Sequence, residues 1–168
     1  PYLEYLFQIY IEAFAKFKNL KNNSVIVDFG GGHGFLSLYL KSIGYKVVYC
    51  DYNPLSVETI RVLKERLDFG PDYIICGSSG ELKDFFQSHN LIPTHLISTD
   101  LIEHVYDLNS FFQDLKQINP DFEMVFTTGS NPYNFLKCCQ LRKDMKIEEK
   151  KYLVSRKHFI QKYITGLG

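Results

Sequence analysis

Two kinds of segment alternate along the chain. Short runs of consecutive apolar residues, rich in β-branched and aromatic types, predict strands that are buried on both faces. Longer segments place apolar residues three and four positions apart, which predicts helices with one apolar face. The predicted strands are 24–29, 45–50, 73–76, 94–99 and 122–128, and the predicted helices are 1–20, 35–43, 54–67, 81–88 and 108–118.

The alternation of strands and helices predicts the fold class. Strands separated by single helices indicate right-handed crossovers and therefore an α/β fold with a doubly wound, mostly parallel, Rossmann-like sheet. We expect one domain over residues 1–168, with an N-terminal helix over 1–20, a core over 24–134 and a helical C-terminal part over 135–168. Because such a sheet binds ligands at the carboxyl ends of its strands, polar residues at those ends are the candidate site.

Composition narrows the choice of partners. The 168 residues include 19 basic and 19 acidic side chains, and a net charge of zero argues against the broad basic surface that holds nucleic acid. No apolar run reaches the ~18 residues of a membrane helix, and no signal peptide opens the chain. We therefore expect a cytoplasmic protein with a small-molecule substrate and no membrane partner. Since the chain begins at Pro1 without an initiator methionine, a fragment of a larger protein is an open alternative.

The four cysteines show neither zinc-site spacing nor companion histidines. Cys50 and Cys76 fall in predicted strands, and we expect both to be buried free thiols. Cys138 and Cys139 are expected to be packing residues on a helix. The cysteines therefore predict no metal site and no redox pair.

The most informative stretch is a glycine-rich turn after the first predicted strand. Asp28 is followed by Gly30, Gly32 and Gly34 in the pattern D-x-G-x-G-x-G. Glycine lets the backbone turn sharply and approach a ligand, and the helix N-terminus that follows offers free N–H groups to an anion. A dinucleotide site would instead require G-x-G-x-x-G, whose third glycine would stand where this chain has Phe35.

A carboxylate ends the second predicted strand. Asp51 follows Gly30 by 21 residues, at a position where an acidic side chain accepts hydrogen bonds from ribose hydroxyls. The alternative is a simple turn carboxylate before Asn53-Pro54. The glycine turn and Asp51 together resemble the class I S-adenosylmethionine-dependent methyltransferases, and the resemblance covers residues 25–134.

The resemblance implies both a cofactor and the residues that hold it. The cofactor is S-adenosylmethionine. The sheet of the family normally has seven strands, of which five are readable here, so the last strands are expected either to be missing or to lie beyond Gly168. One of the implied residues, Ser79, has an alternative role in the sequence, which is to cap the helix that follows it instead of binding the cofactor. The implied cofactor-binding residues are Asp28, Gly30, Gly31, Gly32, His33, Gly34, Asp51, Tyr52, Asn53, Ser78, Ser79, Asp100 and Leu101.

The segment after the fourth predicted strand, 100–105, resembles the D-x-x-E-H-V segment of quinone-biosynthesis and related small-molecule methyltransferases. The resemblance implies that Glu103 and His104 face the substrate, with His104 as the candidate for orienting or deprotonating the acceptor. The alternative for His104 is a structural histidine that steadies the loop. After the fifth strand, Asn131 and Tyr133 fall where these subfamilies have residues of the substrate entrance.

Two other functions stay open. One is a domain that binds S-adenosylmethionine without chemistry of its own, as a regulatory subunit or a fragment. The other is a metal-dependent RNA 2′-O-methyltransferase in which Asp100, Glu103, His104 and His158 hold a divalent ion. Enzymes that methylate nucleobases carry Pro-Pro-aromatic or Pro-Cys motifs that this chain lacks. We therefore predict a methyltransferase with a small-molecule acceptor and no metal site.

Overall fold

The computed structural model describes residues 2–128, with side chains from Glu4 onward. Residues 2–128 pack as one compact unit. The predictions made for later residues, which concern Asn131, Tyr133, Cys138, Cys139, His158 and the C-terminal helices, lie outside the described residues.

Five strands and five α-helices alternate along the described part of the chain. The strands form one parallel sheet in the order β3-β2-β1-β4-β5, which confirms the predicted doubly wound α/β fold. The strands are β1 (Val25–Phe29), β2 (Lys46–Asp51), β3 (Tyr73–Cys76), β4 (His95–Thr99) and β5 (Glu123–Thr127). The helices are α1 (Tyr2–Phe14), α2 (Phe35–Ser42), α3 (Pro54–Leu67), α4 (Ser79–His89) and α5 (Leu108–Ile118), with a short 3-10 helix at Ile102–His104.

Each face of the sheet is covered by helices, because successive strand residues point to opposite faces. One face packs against α4 and α5 through a cluster that includes Val27, Val48, Leu82, Phe111 and Leu115. The opposite face packs against α1 and α2 through Ile26, Val47 and Leu40, and against α3 through Tyr49 and Ile60. This double cover explains why the strands read as continuous apolar runs in the sequence.

Two helices differ by more than one residue from the prediction. Helix α1 ends at Phe14 instead of Leu20, and the backbone N–H groups of Lys18 and Asn19 donate to the Glu123 carboxylate at 2.7 and 3.3 Å. Helix α4 begins at Ser79, two residues before the predicted start, because Ser78 provides its N-cap. Both differences depend on side chains that satisfy helix-terminal or turn N–H groups.

The prediction that both strand cysteines are buried is right for Cys50 and wrong for Cys76. Cys50 is buried on β2, and burial raises the pKa of its thiol. Cys76 is exposed because it is the last residue of β3, which is an edge strand of the described sheet and pairs only with β2. A thiol at the carboxyl end of an edge strand has no second neighbouring strand to cover it.

Among residues 2–128, no helix is both long and apolar enough to cross a membrane.

Candidate functional site

The glycine turn joins β1 to α2 at the carboxyl end of the sheet. Gly32 has a φ of 51°, and a Cβ added to it would meet no atom within 4 Å, so this residue faces open space. Gly34 has a φ of 80° and precedes α2, where a Cβ would come 2.9 Å from Cγ1 of the buried Ile60. Positive φ is nearly free for glycine and unfavourable for other residues. The turn therefore needs Gly34 for conformation and packing, and Gly32 for conformation alone.

Asp28 lies beneath the turn instead of on its open side. Its side chain is 1% exposed, and the Ser37 hydroxyl donates to Asp28 Oδ2 at 2.6 Å. Burial raises the pKa of Asp28 to about 7, against the smaller opposing effect of the Ser37 hydrogen bonds, and the charge of Asp51 adds to the increase. Asp28 is thus a support of the turn, held between β1 and α2.

Asp51 lies at the end of β2 and contacts the turn directly. Its Oδ2 accepts a hydrogen bond from the backbone N–H of Gly32 at 2.8 Å, and its Oδ1 accepts one from the N–H of Asn53 at 2.8 Å. The side chain is half-buried. Each carboxylate oxygen has a second lone pair, so the group can accept further hydrogen bonds from a ligand. Asn53 itself caps α3, because its Oδ1 accepts from the N–H of Leu55 at 3.0 Å.

A cavity of about 640 Å³ opens beside these groups, between the carboxyl ends of the strands and the N-terminal turns of α4 and α5. Seven residues predicted from the sequence line it: Gly30, Asp51, Tyr52, Ser78, Ser79, Leu101 and His104. The other predicted residues are absent from its lining; among them, His33 is exposed and its ring lies against that of Phe35, 6.2 Å between centroids. The tertiary structure thus brings about half of the predicted residues around one volume.

The two serines after β3 have different structural tasks. Ser78 is the N-cap of α4: its hydroxyl accepts from Gly80 N–H at 3.3 Å, and its backbone N–H donates to Glu81 Oε2 at 2.7 Å. The alternative of a capping role for Ser79 is therefore wrong, since the neighbouring serine takes it. The Ser79 hydroxyl instead donates to Asp114 Oδ2 on α5 at 2.8 Å. That carboxylate also binds Lys83 at 2.6 Å, and this hydrogen bond holds the pKa of Asp114 below its usual range.

The segment after β4 leaves the sheet at a strained residue. Asp100 has a φ of 51°, and its backbone N–H donates to the Thr127 carbonyl at 2.9 Å. The turn brings Leu101 against Gly30, where an added Cβ would come 3.1 Å from Leu101 Cγ. Glu103 and His104 are both exposed on the 3-10 helix, but only His104 lines the cavity. Of the two predicted catalytic residues, His104 is the better placed.

The metal-binding alternative finds no assembled site in the described part of the chain. No three His, Cys, Asp or Glu side chains among residues 2–128 are close enough together to hold a metal ion. The fourth member of the set, His158, lies outside the described residues.

Sequence reasoning missed several residues of the site. Asp107, Ser110 and Asp114 line the cavity from α5 and its start, and Tyr106 lines it while being fully exposed. Asp107 carried a usable signal, since an aspartate before an apolar helical pattern predicts an N-cap, and its Oδ1 accepts from Ser110 N–H at 3.0 Å. Nothing in the sequence links Asp114 to a residue 35 positions earlier.

The site fits the cofactor that the resemblance implies. Asp51 presents carboxylate oxygens of the kind that accept hydrogen bonds from ribose hydroxyls, and the turn leaves the side of Gly32 open for a ligand to approach its backbone. Gly30 and Leu101 border the cavity from the turn and from the segment after β4. The Asp51 carboxylate and the open side of the turn suit the hydroxyl groups of a nucleoside.

Comparison with known proteins identifies the family. The model of a methyltransferase domain family matches residues 2–166. The fold is similar to that of a S-adenosylmethionine-dependent methyltransferase from Aquifex aeolicus, with a TM-score of 0.50 and 16% identity over 65% of this chain and 57% of that one. It is also similar to a putative methyltransferase from an antibiotic biosynthesis pathway of Anabaena variabilis, with a TM-score of 0.51 and 22% identity over 71% of this chain and 45% of that one.

These similarities have defined limits. The matches span less than two thirds of the length of either solved structure, and at these identities the likeness concerns the fold alone. No curated protein sequence matches the chain. Because the family model covers nearly the whole chain and the fold agrees with it, the chain belongs to the methyltransferase domain family, as a class I S-adenosylmethionine-dependent methyltransferase domain.

Proposed function

We propose that this domain binds S-adenosylmethionine at the glycine turn, with Asp51 as the acceptor for the ribose hydroxyls, and transfers a methyl group to a small-molecule acceptor. The observation that carries the proposal is the position of the Asp51 carboxylate. It lies at the carboxyl end of β2, is fixed by the N–H groups of Gly32 and Asn53, and borders the cavity of about 640 Å³. When bound, S-adenosylmethionine supplies an electrophilic methyl group on a sulfonium.

Asp51 is prepared for ribose by the hydrogen bonds that it already accepts. One N–H occupies each carboxylate oxygen, which fixes the plane of the group and leaves one lone pair on each oxygen for a hydroxyl donor. A preorganised acceptor binds its ligand with less loss of side-chain entropy. In this proposal Tyr52, which also lines the cavity, borders the adenine, and Leu101 lies beside the methionine part of the cofactor.

The start of α2 is the proposed site for the carboxylate of the methionine part. The first N–H groups of a helix have no partner within the helix and carry the positive end of its dipole. Gly32 and His33 lie just before that helix, and Gly32 presents no side chain toward the open side of the turn. Asp28 supports the turn from beneath through Ser37.

His104 is the proposed catalytic residue, with Glu103 as its neighbour on the 3-10 helix. A neutral imidazole that lines the cavity can accept a proton from a hydroxyl or acidic carbon as the acceptor attacks the methyl group. Methyl transfer is an in-line displacement, so the main task of the cavity walls is to hold the acceptor in line. A cavity of this size, together with a net charge of zero, favours a small molecule over a nucleic acid as the acceptor.

A second candidate function is binding without catalysis. The chain spans about half the length of the solved methyltransferases to which it is similar. In this second function, the residues that complete an acceptor site in a longer protein are absent from the domain, which binds the cofactor without transferring its methyl group. Binding of the cofactor without turnover of any acceptor would favour this function.

Calorimetric titration with S-adenosylmethionine and with S-adenosylhomocysteine tests the binding proposal. We expect both ligands to bind the wild-type chain, and Asp51→Asn to weaken both by about tenfold or more, since a charged acceptor contributes more than a neutral one. Asp68→Asn makes the same chemical change at the exposed C-cap of α3 and should leave binding unchanged. Failure of the wild-type chain to bind either ligand would overturn the proposed function.

A further inference from the structure

Tyr49 connects the core of the sheet to the glycine turn. It lies in the middle of β2, its side chain is fully buried, and its hydroxyl donates to the carbonyl oxygen of Gly32 at 2.6 Å. Burial raises the pKa of Tyr49 well above its ordinary value, so the phenol is neutral and able to donate across the physiological range. The hydroxyl is thus the one polar atom that this otherwise apolar side chain brings under the turn.

Tyr49 and Asp51 act on the same residue. They are two positions apart on β2, and side chains at that spacing leave a strand from the same face. Asp51 accepts from the N–H of Gly32, while Tyr49 donates to its carbonyl oxygen. Both backbone polar groups of Gly32 are therefore held by side chains of a single strand. The direction in which a Cβ of residue 32 would point faces open space.

The ring of Tyr49 also sets how closely the turn approaches the sheet. A Cβ added to Gly31 would come 2.6 Å from Cδ2 of the Tyr49 ring and 2.8 Å from Asp28 Oδ2. Asp28 is the direct partner of Tyr49 across the β1–β2 pair. The turn thus rests on two neighbouring side chains of the sheet, and it can do so only because Gly31 carries no side chain.

We propose that Tyr49 is a positioning residue of the cofactor site, which holds the Gly32 carbonyl so that the turn keeps its shape when a ligand takes up the hydrogen-bonding capacity of Asp51. This inference rests on the proposed function. When ribose hydroxyls take the second lone pair of each Asp51 oxygen, the carboxylate is shared between the ligand and the N–H groups of Gly32 and Asn53. The Tyr49 bond does not involve Asp51, and it stays in place while the ligand binds.

Tyr49→Phe removes the hydroxyl and keeps the ring, so the packing under Gly31 is preserved. Tyr45→Phe is the matched control, because Tyr45 is a partly buried tyrosine of the same chain whose ring packs against Phe14, away from the turn. Each variant is compared with the wild-type chain in three measurements. These are calorimetric affinity for S-adenosylhomocysteine, the hydrogen-exchange rate of the Gly32 amide by NMR, and the free energy of unfolding in urea.

We expect Tyr49→Phe to weaken S-adenosylhomocysteine binding by about 2- to 12-fold, the usual effect of one lost hydrogen bond. The Gly32 amide should exchange several-fold faster in the ligand-free variant, since the turn is then held on one side only. Tyr45→Phe should change neither quantity. A residue with only a packing role would shift the unfolding free energy without moving the affinity or the local exchange rate.

Two results would overturn the inference: an unchanged affinity in Tyr49→Phe, or an unchanged exchange rate at Gly32. The exchange measurement needs no ligand, which separates this inference from the proposed function. If the wild-type chain bound neither S-adenosylmethionine nor S-adenosylhomocysteine, the proposed function would fail, and the cofactor role of Tyr49 would fail with it. Faster exchange in Tyr49→Phe would then still establish that its hydroxyl holds the turn.

Discussion

The Ser37 hydroxyl of α2 donates a 2.6 Å hydrogen bond to the buried carboxyl group of Asp28 on β1. This bond compensates only part of the penalty of burying a charge, and the pKa of Asp28 is raised to about 7. An acidic group that lies under a ligand-binding turn is therefore close to its titration point near neutral pH.

The stability of the domain should consequently depend on Asp28 between about pH 4 and pH 8. In the unfolded chain an aspartate loses its proton near pH 4, whereas in the folded chain Asp28 keeps it until about pH 7. The folded state binds the extra proton in this window, so the contribution of Asp28 to stability is largest near pH 4 and falls as the pH rises to 7. At about 1.4 kcal/mol per pKa unit, the change amounts to at most about 4 kcal/mol.

Asp28→Asn tests this prediction by removing the titration while keeping the shape of the side chain. Relative to wild type, the free energy of unfolding of the variant should improve progressively from pH 5 to pH 8, measured by urea denaturation. The difference between the two proteins cancels contributions from other groups, such as Asp114 and Glu123, whose lowered pKa values act in more acidic solution. A difference that is constant with pH would contradict the raised pKa.

Gly31→Ala should mainly lower the stability of the domain, whereas Gly32→Ala should mainly lower its affinity for S-adenosylhomocysteine. At position 31 an added methyl group meets the buried ring of Tyr49 and the carboxyl group of Asp28, so this variant should lose about 2 kcal/mol or more of stability. At position 32 the methyl group meets nothing, and the positive φ costs only about 1 kcal/mol. The same methyl group projects toward the proposed cofactor side, so Gly32→Ala should lose S-adenosylhomocysteine affinity while remaining folded.

Thermal unfolding and calorimetric titration of the two glycine variants provide the measurement. Equal losses of stability would show that the turn relaxes away from Tyr49, and unimpaired binding by Gly32→Ala would place the ligand elsewhere.

His104→Asn should lower the rate of methyl transfer by about 100-fold or more, if the acceptor carries a proton that must be removed. Transfer from labelled S-adenosylmethionine can be followed on small-molecule mixtures to find an acceptor and then on that acceptor alone. Affinity for S-adenosylhomocysteine should change by less than threefold, because the proposed role of His104 concerns the acceptor. Glu103→Gln should have a smaller effect, since Glu103 is not part of the cavity lining.

His89→Asn is the matched control, because His89 is an exposed histidine in the last turn of α4. A normal rate in His104→Asn would eliminate its role as a base and leave the alternative of a structural histidine.

Ser78→Ala should destabilise the domain by about 1 kcal/mol, since it removes the hydroxyl that caps α4 and donates to Glu81 Oε2. Ser79→Ala should instead act through Asp114, which would keep Lys83 but lose its second donor at the cavity wall. Urea denaturation measures the free energy of unfolding of each variant, and this effect is distinguished from any change in ligand affinity. A larger loss of stability from Ser79→Ala would show that the contact between α4 and α5 matters more than the cap.

Much of the molecule could be read from the sequence alone, because the signals were local. The bounds predicted for α3, α5 and β3 agree with the structure, since Pro54, the Asn119-Pro120 pair and the Gly70-Pro71 break each determine backbone conformation within a few residues. The glycine turn and Asp51 were found from their spacing along the chain. They meet in the structure because each follows or ends one of two adjacent parallel strands, whose carboxyl ends lie at one edge of the sheet.

Tertiary structure alone decided which side chains complete the site. Tyr49 reads as one more apolar residue of a strand, and its bond to Gly32 exists only because the turn folds back over β2. The bond from Ser79 to Asp114 spans 35 residues, and the bond from Lys18 N–H to Glu123 spans 105. A sequence pattern reports the conformation of neighbours along the chain, whereas these contacts depend on how whole elements pack, which no local signal encodes.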